Sequence, residues 1–381
     1  MPSRITVIFV LSVLGALHAW IGWRLAPALS ADGVVQSLCA LYMVLSWFLI
    51  PGALLSRNMK SQVWADRLSW VGMLAMGLFS SLLLLTLVRE VLLLVLPWLS
   101  GALLREELHT WSAQAVVIGA LALTLLGFIN ARRLAAVVDV EVPIRNLPAA
   151  LQGFTIAQIS DIHVGPTIKR KYLRAIVDKV NGLNADMVAI TGDLVDGSVR
   201  QLAEHTAPLA QLRARHGVYF VTGNHEYYSD AVAWVAEVRR LGLTVLMNEH
   251  VVLQHNGAAL VVAGVTDYTA HHFDPTQRSD PQAAINHAPA DSHVNILLAH
   301  QPRSASAAAD AGFDLQLSGH THGGQFFPWN LFVPMQQPYV AGLNKLRDLW
   351  IYTSRGTGYW GPPKRLLAPS EITRLRLVAA P

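Results

Sequence analysis

Charge is scarce in this chain. Acidic and basic residues make up 14% of its 381 positions, where a soluble globular protein carries roughly 25%. Hydrophobic residues reach 52%, so a disordered, collagen-like or wholly soluble chain is excluded. Cysteine occurs once, at Cys39; an intrachain disulfide is impossible and a zinc site built from thiolates is ruled out. Neither sign of charge dominates. The formal net charge is +4, too small an excess to call for a nucleic-acid partner. No internal repeat or low-complexity segment is present, and the length fits two domains.

What charge there is lies mainly beyond the first third. Positions 1–130 hold only 12 charged side chains. Four uncharged runs there, 5–23, 33–55, 68–88 and 111–131, each come close to the ~20 residues a helix needs to cross about 30 Å of hydrocarbon. We predict a transmembrane region of four helices over 1–132, a linker over 133–150 and a soluble domain over 151–381. Three further spans after the first argue against a cleaved signal peptide. Trp20, Trp23, Trp64, Trp70, Trp98 and Trp111 sit near run ends, where an indole keeps its ring apolar and its N–H wet; Trp47 is the exception. The segment 91–104 is apolar but short and contains Pro97, so we expect it in the interface, with the third span ending at Val88. A longer span would carry Arg89 and Glu90 towards mid-bilayer, at about 2.5–3.5 kcal/mol for the arginine alone.

With no acid or base inside the four runs, and His18 their one ionisable group besides Cys39, this half reads as an anchor or lipid-contacting scaffold. A transporter needs polar groups at depth. Arg4, Arg57, Lys60, Arg67, Arg132 and Arg133 fall on one side of the membrane; Arg24, Arg89 and Arg105 fall on the other. The richer side is expected to be cytoplasmic, together with both termini and the soluble domain.

From position 153 onward, short apolar runs at 154–160, 187–191, 218–222, 260–265, 295–299 and 315–318 alternate with helical patterns at 169–181, 199–215, 230–241 and 303–311. This is an α/β pattern with strands buried on both faces. Polar residues crowd the strand ends. Asp161 and His163 follow the first; Gly192, Asp193 and Asp196 the second; Gly223, Asn224, His225 and Glu226 the third; His300 the fifth; Gly319, His320 and His322 the sixth. In such sheets ligands bind at that edge. Asp161/His163 and His320/His322 are spaced i, i+2, which in an extended chain points both side chains the same way, towards a shared metal ion. Glycines before Asp193, Asn224 and His320 permit tight turns and close backbone approach. Oxygen and nitrogen donors without thiolate suit manganese, iron or zinc. Taken singly each pair is ordinary turn or cap chemistry; five in order are not.

The ordered set Asp-x-His, Gly-Asp-x-x-Asp, Gly-Asn-His-Glu, a separate histidine and Gly-His-x-His resembles the signature of the calcineurin-like metallophosphoesterase superfamily. Gly323, Gly324 and Gln325, with Ser354, Arg355 and Gly356 and then Pro369, Ser370, Glu371 and Ile372, resemble its membrane-associated bacterial branch. The likeness covers about 151–381. It implies a four-layer αββα sandwich of two mixed sheets with two divalent metal ions, manganese before iron or zinc. Asp161, His163 and His322 would hold one ion, Asn224, His300 and His320 the other, with Asp193 between them. His225 would serve the leaving oxygen and Asp196 would orient it. The implied reaction is hydrolysis of a phosphodiester or pyrophosphate by a metal-bridging hydroxide, on a substrate that tethering favours as lipid-linked, at a bacterial inner membrane. The alternative is a non-catalytic metal-binding scaffold or sensor. Membrane lipids are expected partners and nucleic acid is not.

Glu226 reads as a first-turn helix carboxylate. His271 and His272 read as loop residues, and His205, His216, His250, His255, His287 and His293 as surface ones. Phe326, Phe327, Trp329, Tyr339, Tyr359 and Trp360, with Lys364 and Arg365, either pack around the second sheet or form, in part, a lip facing lipid headgroups.

Overall fold

The computed structural model describes residues 3–56, 59–95 and 104–380, with the side chains of 104–106 excepted. It divides into two compact units, Met1–Ile129 with Gly361–Lys364, and Asn130–Trp360 with Arg365–Pro381.

The first unit is helical: α1 (Arg4–Leu29), α2 (Gly33–Leu55), α3 (Gln62–Val95) and α4 (Leu104–Arg132). All four are long and apolar enough to cross a membrane. Ser3 caps α1 by accepting from Thr6 N–H, and Asp32 caps α2 by accepting from Val34 N–H, which satisfies helix-end donors. Small residues set the packing. A Cβ on Gly72 of α3 would fall 2.3 Å from Leu49 O of α2, so only glycine lets these backbones approach so closely. Mid-run Trp47 is accounted for, because its indole N–H donates to Leu11 O across the bundle at 3.1 Å. His18 is inside the bundle, stacked on Phe79 at 4.1 Å with Nε2 3.1 Å from Ser46 Oγ.

One expectation is corrected here. The third helix runs through Arg89 and Glu90 to Val95 without ending at Val88; the remainder of 91–104 up to position 103 lies outside the described residues, as do Arg57, Trp98 and the side chain of Arg105. At 34 residues, α3 is about 51 Å long, more than the hydrocarbon thickness, so Arg89 need not lie at mid-bilayer. The four uncharged runs stand, and the helices that contain them extend further and carry charge beyond the runs. Buried Arg89 donates to Glu90 at 2.6 Å, to Ser112 Oγ at 2.9 Å and to His109 O at 3.1 Å, and Arg24 of α1 pairs with Glu90. Mutual pairing offsets the desolvation that hydropathy alone counts as a cost. Lys364, grouped with this unit, is buried and donates to Ser81 Oγ at 2.6 Å.

The second unit is the expected α/β sandwich. One mixed sheet has the order β1 (Ala136–Ile144), β12 (Glu371–Ala379), β2 (Thr155–Ile159), β3 (Met187–Ile190), β4 (Val218–Phe220), β5 (Thr244–Val245). The other runs β10 (Gly342–Leu346), β11 (Leu349–Thr353), β9 (Leu315–Ser318), β8 (Val294–Leu298), β7 (Ala258–Gly264), β6 (Glu249–His255). Side chains of both sheets share one core, in which Ile156, Ala189 and Tyr219 pack with Leu260, Ile296 and Leu317. The outer face of the first sheet is covered by α5 (Arg170–Asn181), α6 (Val199–Thr206) and α8 (Ala231–Arg240), through Ile176, Leu202 and Trp234, with the short α7 (Asn224–Tyr228) preceding α8 in the chain. Helices α9 (Pro281–Ile285) and α10 (Ala305–Asp310) cover the second through Ala284 and Ala308. Strands β2, β3 and β4 are mutually parallel, as are β7, β8 and β9, so each sheet delivers consecutive C-terminal ends to a single edge.

The linker expected over 133–150 is instead structural. Positions 136–144 form β1, paired in parallel along nine residues with β12. Nor are all the histidines without motif context at the surface. His255 is buried, and His216 Nε2 lies 2.9 Å from His255 Nδ1, with Phe154 against both rings.

Candidate metal centre

The loops that leave β2, β3 and β9 do not continue as extended chain. Asp161, His163, Asp193, His320 and His322 all have φ between 51° and 70°, a left-handed conformation that costs a non-glycine residue about 1–2 kcal/mol. The members of each i, i+2 pair therefore reach the site from left-handed backbone beyond the strand end, not as alternate residues of a strand. Cross-loop bonds over-determine this shape: Asp161 N–H donates to Gly192 O at 3.0 Å, His163 N–H to Asp193 O at 3.1 Å and Gly358 N–H to Asp161 O at 3.1 Å. The glycines are required by proximity. A Cβ on Gly319 would lie 2.0 Å from Ser160 Oγ and 2.2 Å from Asp161 Oδ2, and one on Gly223 would lie 2.2 Å from Asp193 Oδ1.

Three sets of donor atoms converge: Asp161, His163 and His322; His163, Asp193 and His225; Asp193, His300 and His320. His163 Nε2 is 3.1 Å from His322 Nε2, and His322 Nε2 is 3.5 Å from Asp161 Oδ1. On the other side His300 Nε2 is 3.2 Å from both Asp193 Oδ2 and His320 Nδ1. Asp193 belongs to two of the sets. His300 Nδ1 donates to Thr191 O at 2.7 Å, which aims Nε2 at the site; burial lowers its pKa, but Asp193 and Asp161 outweigh it and hold it well above the ordinary value, so an ion taken at Nε2 would displace a proton. Asn224 is buried, and its Oδ1 has no hydrogen-bond partner among the described residues; a buried acceptor left open beside Asp193, whose Oδ1 takes the His225 N–H at 2.9 Å, fits a cation ligand. The donor set therefore suits divalent metal bound by oxygen and nitrogen.

Next to these donors His225 Nδ1 donates to Asp196 Oδ1 at 2.5 Å, while its Nε2 stands 4.0 Å from Asp193 Oδ2. The His225 ring packs edge-on against Tyr228 at 5.1 Å and Trp360 at 5.5 Å. Burial lowers the His225 pKa, but Asp193 and Asp196 outweigh it and raise it to about 9. Burial, reinforced by the His300 charge, brings His320 down to about 3, and burial with His163 and Arg365 takes His322 well below its ordinary value. Both are neutral at pH 7, the form that donates a lone pair. Burial would raise the carboxyl of Asp193, yet His300 and His225 hold it well below the usual range.

Two supporting residues were not legible in advance. Glu226 is not merely a first-turn carboxylate: its Oε1 accepts from Leu194 N–H at 2.8 Å and Val195 N–H at 3.3 Å, its Oε2 from Gly223 N–H at 2.6 Å and Asp193 N–H at 3.0 Å. It ties the Asp193 loop to the Asn224 loop. Arg365 is fully buried and donates to the carbonyls of Gly358, His322, Arg355 and Ala368, fixing the segment that carries His322. A lone glutamate inside a motif and a lone arginine outside one carry no spacing signal. His271 and His272 lie ring against ring at 4.0 Å, tilted by 43°, in a short turn and join none of the donor sets.

The chain matches the calcineurin-like phosphoesterase family over residues 154–324. It is 34% identical to a transmembrane protein with metallophosphoesterase domain from Danio rerio over 384 aligned residues, 97% of this chain and 88% of the relative. It is 42% identical to an uncharacterized metallophosphoesterase of Helicobacter pylori, over 58% of this chain and 59% of that one. Relatives thus include animal as well as bacterial proteins. A 5'-nucleotidase precursor from Thermus thermophilus aligns in structure with a TM-score of 0.39 at 16% identity, over 59% of this chain and 54% of the other.

Proposed function

Since the chain belongs to the calcineurin-like metallophosphoesterases, we propose that it hydrolyses a phosphodiester or pyrophosphate on a lipid-linked substrate while anchored in the membrane. One observation carries this reading. Asp193 is shared between two donor sets, and the same carboxylate stands beside a histidine that is locked to a second carboxylate, Asp196.

Asp161, His163 and His322 would hold one divalent ion, and Asn224, His300 and His320 the other, with Asp193 common to both. Two such ions supply charge neutralisation for the phosphate and acidify water. The protein's own residues do the rest. His225, its Nδ1 tied to Asp196, presents Nε2 to the leaving oxygen and gives it a proton. Rings of Tyr228 and Trp360 border that imidazole and limit the directions from which a substrate enters. A non-catalytic scaffold would leave the His225–Asp196 pair without a purpose. The excess of basic residues in alternate loops supports a cytoplasmic catalytic unit at a bacterial inner membrane.

The test uses the full chain in detergent with manganese, assayed on bis-p-nitrophenyl phosphate and on an alkyl phosphodiester. Asp193→Asn is expected to lose bound metal and turnover together. His225→Ala should keep its metal yet lose on the order of 10²-fold in kcat on the alkyl ester, and less on the nitrophenyl ester, whose leaving group needs no proton. Equal rates above background for wild type and both variants would refute the assignment.

A further inference from the structure

One stretch of the second unit is unlike a water-facing surface. From Gly323 to Asn344 no residue is acidic or basic. Within it Phe327, Trp329, Leu331, Phe332 and Met335 expose 38–81% of their surface, and Leu367, at 83%, is itself bridged to Phe326, which joins the two segments. Five large apolar side chains in nine residues make a contiguous patch of the kind soluble surfaces avoid unless something covers it. Elsewhere in this unit the exposed large apolar residues come singly or in pairs.

The patch is built, not frayed. Two successive tight turns, Trp329–Leu331 and Val333–Met335, bond much of their own backbone. Leu331 N–H donates to Pro328 O at 2.9 Å, Phe332 N–H to Trp329 O at 2.9 Å, Met335 N–H to Phe332 O at 3.1 Å and Gln336 N–H to Val333 O at 2.9 Å. Prolines 328 and 334 have no amide hydrogen to satisfy. Four of the seven amide hydrogens from Phe327 to Met335, those of Trp329, Leu331, Phe332 and Met335, are bonded locally, which lowers the cost of leaving water for a bilayer interface. The base is held firmly. Gly324 lies so close to Asn330 that a Cβ would sit 2.3 Å from its Cα; Gln337 Nε2 donates to Gln301 Oε1 at 3.1 Å, and Arg303 donates to Gln336 O. These roots adjoin His322 at one end and His300 at the other.

We propose that the 327–335 projection, with Leu367, is a monotopic membrane lip: it inserts its aromatic and aliphatic tips among lipid headgroups and acyl ends beside the metal centre. The occupant is lipid for reasons visible in the chain. Four apolar spans keep this unit permanently near a bilayer. Tryptophan and phenylalanine are the residues that favour the interface. The cation at the base, Arg303, and Lys345 just past the uncharged stretch complement anionic headgroups, with no acid between Gly323 and Asn344 to oppose them. Of the residues expected to form a lip, Phe326, Tyr359, Lys364 and Arg365 are buried and take no part. The lip extends the proposed function by giving the catalytic unit its own contact with lipid, and it stands or falls independently of any hydrolysis.

The single cysteine makes the test clean. In a Cys39→Ser background, Leu331→Cys and Met335→Cys are each labelled with a nitroxide in the full chain, reconstituted one copy per nanodisc with phosphatidylglycerol-containing lipid. Glu204→Cys, on α6, serves as the aqueous reference. Power saturation compares collisions with oxygen, which concentrates in lipid, against a water-soluble nickel chelate. The proposal expects oxygen to dominate at 331 and 335 and nickel at 204. Nickel collisions at 331 and 335 as frequent as at 204 would overturn it. So would labels shielded from both reagents, or dipolar broadening that appears only with two copies per disc, since either outcome assigns the patch to a protein partner.

Discussion

Replacing Glu226 by glutamine is the sharpest test of how the site is held together. The side chain is completely buried, and each carboxylate oxygen accepts two main-chain N–H groups. Without metal, burial and the nearby Asp193 carboxylate push its pKa up to about 8 against the pull of those donors, so the comparison belongs to the manganese-loaded chain, where cations at Asp193 would oppose that rise and keep the carboxylate ionised; a proton on either oxygen would set a donor against donors. Glutamine makes that conflict permanent while preserving shape. In its better orientation the amide oxygen keeps Gly223 and Asp193, the shorter pair, and the NH₂ group faces Leu194 and Val195. Two buried N–H groups then lose their acceptor at about 1–3 kcal/mol each, a total of roughly 2–6 kcal/mol. For a domain of this size that is roughly 4–24 °C in Tm. The loss is expected to spread to the metal, because His163 N–H is bonded to the Asp193 carbonyl; supports of this kind typically cost 10–100-fold in metal affinity. Intrinsic-fluorescence melting of the full chain in detergent and manganese titration would measure both, with exposed Glu204→Gln as the neutral reference. An E226Q variant melting within 2 °C of wild type at unchanged manganese affinity would refute the claim that this carboxylate anchors the bridging loop.

Other consequences follow from the same geometry. Gly319→Ala would press a methyl group into Ser160 Oγ and Asp161 Oδ2, both fully buried; the reasoning expects a destabilisation of about 1–3 kcal/mol and loss of metal by elemental analysis, and an alanine variant that retains full occupancy would contradict it. Arg365→Lys offers three donors where four carbonyls are served, so at least one goes unpaired and the fork geometry is lost, at about 1–3 kcal/mol in a thermal melt. Stripping metal with a chelator should lower the Tm of the second unit and manganese should restore it, because ligands that bind only the folded state stabilise it by mass action; an unchanged melt would mean that the donor sets bind no ion.

The parts of this molecule that were legible from its sequence share a feature: their information is local. A membrane helix declares itself by an uninterrupted apolar run, and each donor residue by its place just past a short buried strand, so the spans, the central strands and the ordered strand-end residues were all readable. What escaped reading depends on partners distant in sequence. The segment Ala136–Ile144 looks like a linker because its burial is irregular, and it becomes a strand only through nine parallel pairs with residues more than 200 positions away. Glu226 receives its meaning from the 193–195 loop, and Arg365 from four carbonyls spread over 322–368. Arg89 and Glu90 looked too costly to place inside a helix because hydropathy assigns each charge a cost of its own, whereas the fold assigns one to the network with Arg24, Ser112 and His109. A donor bonded to the backbone of another segment imposes no periodicity on its own neighbourhood. The residues that hold a site in shape are therefore harder to read than the residues that face its ligand, even where, as with Glu226, the two stand two positions apart.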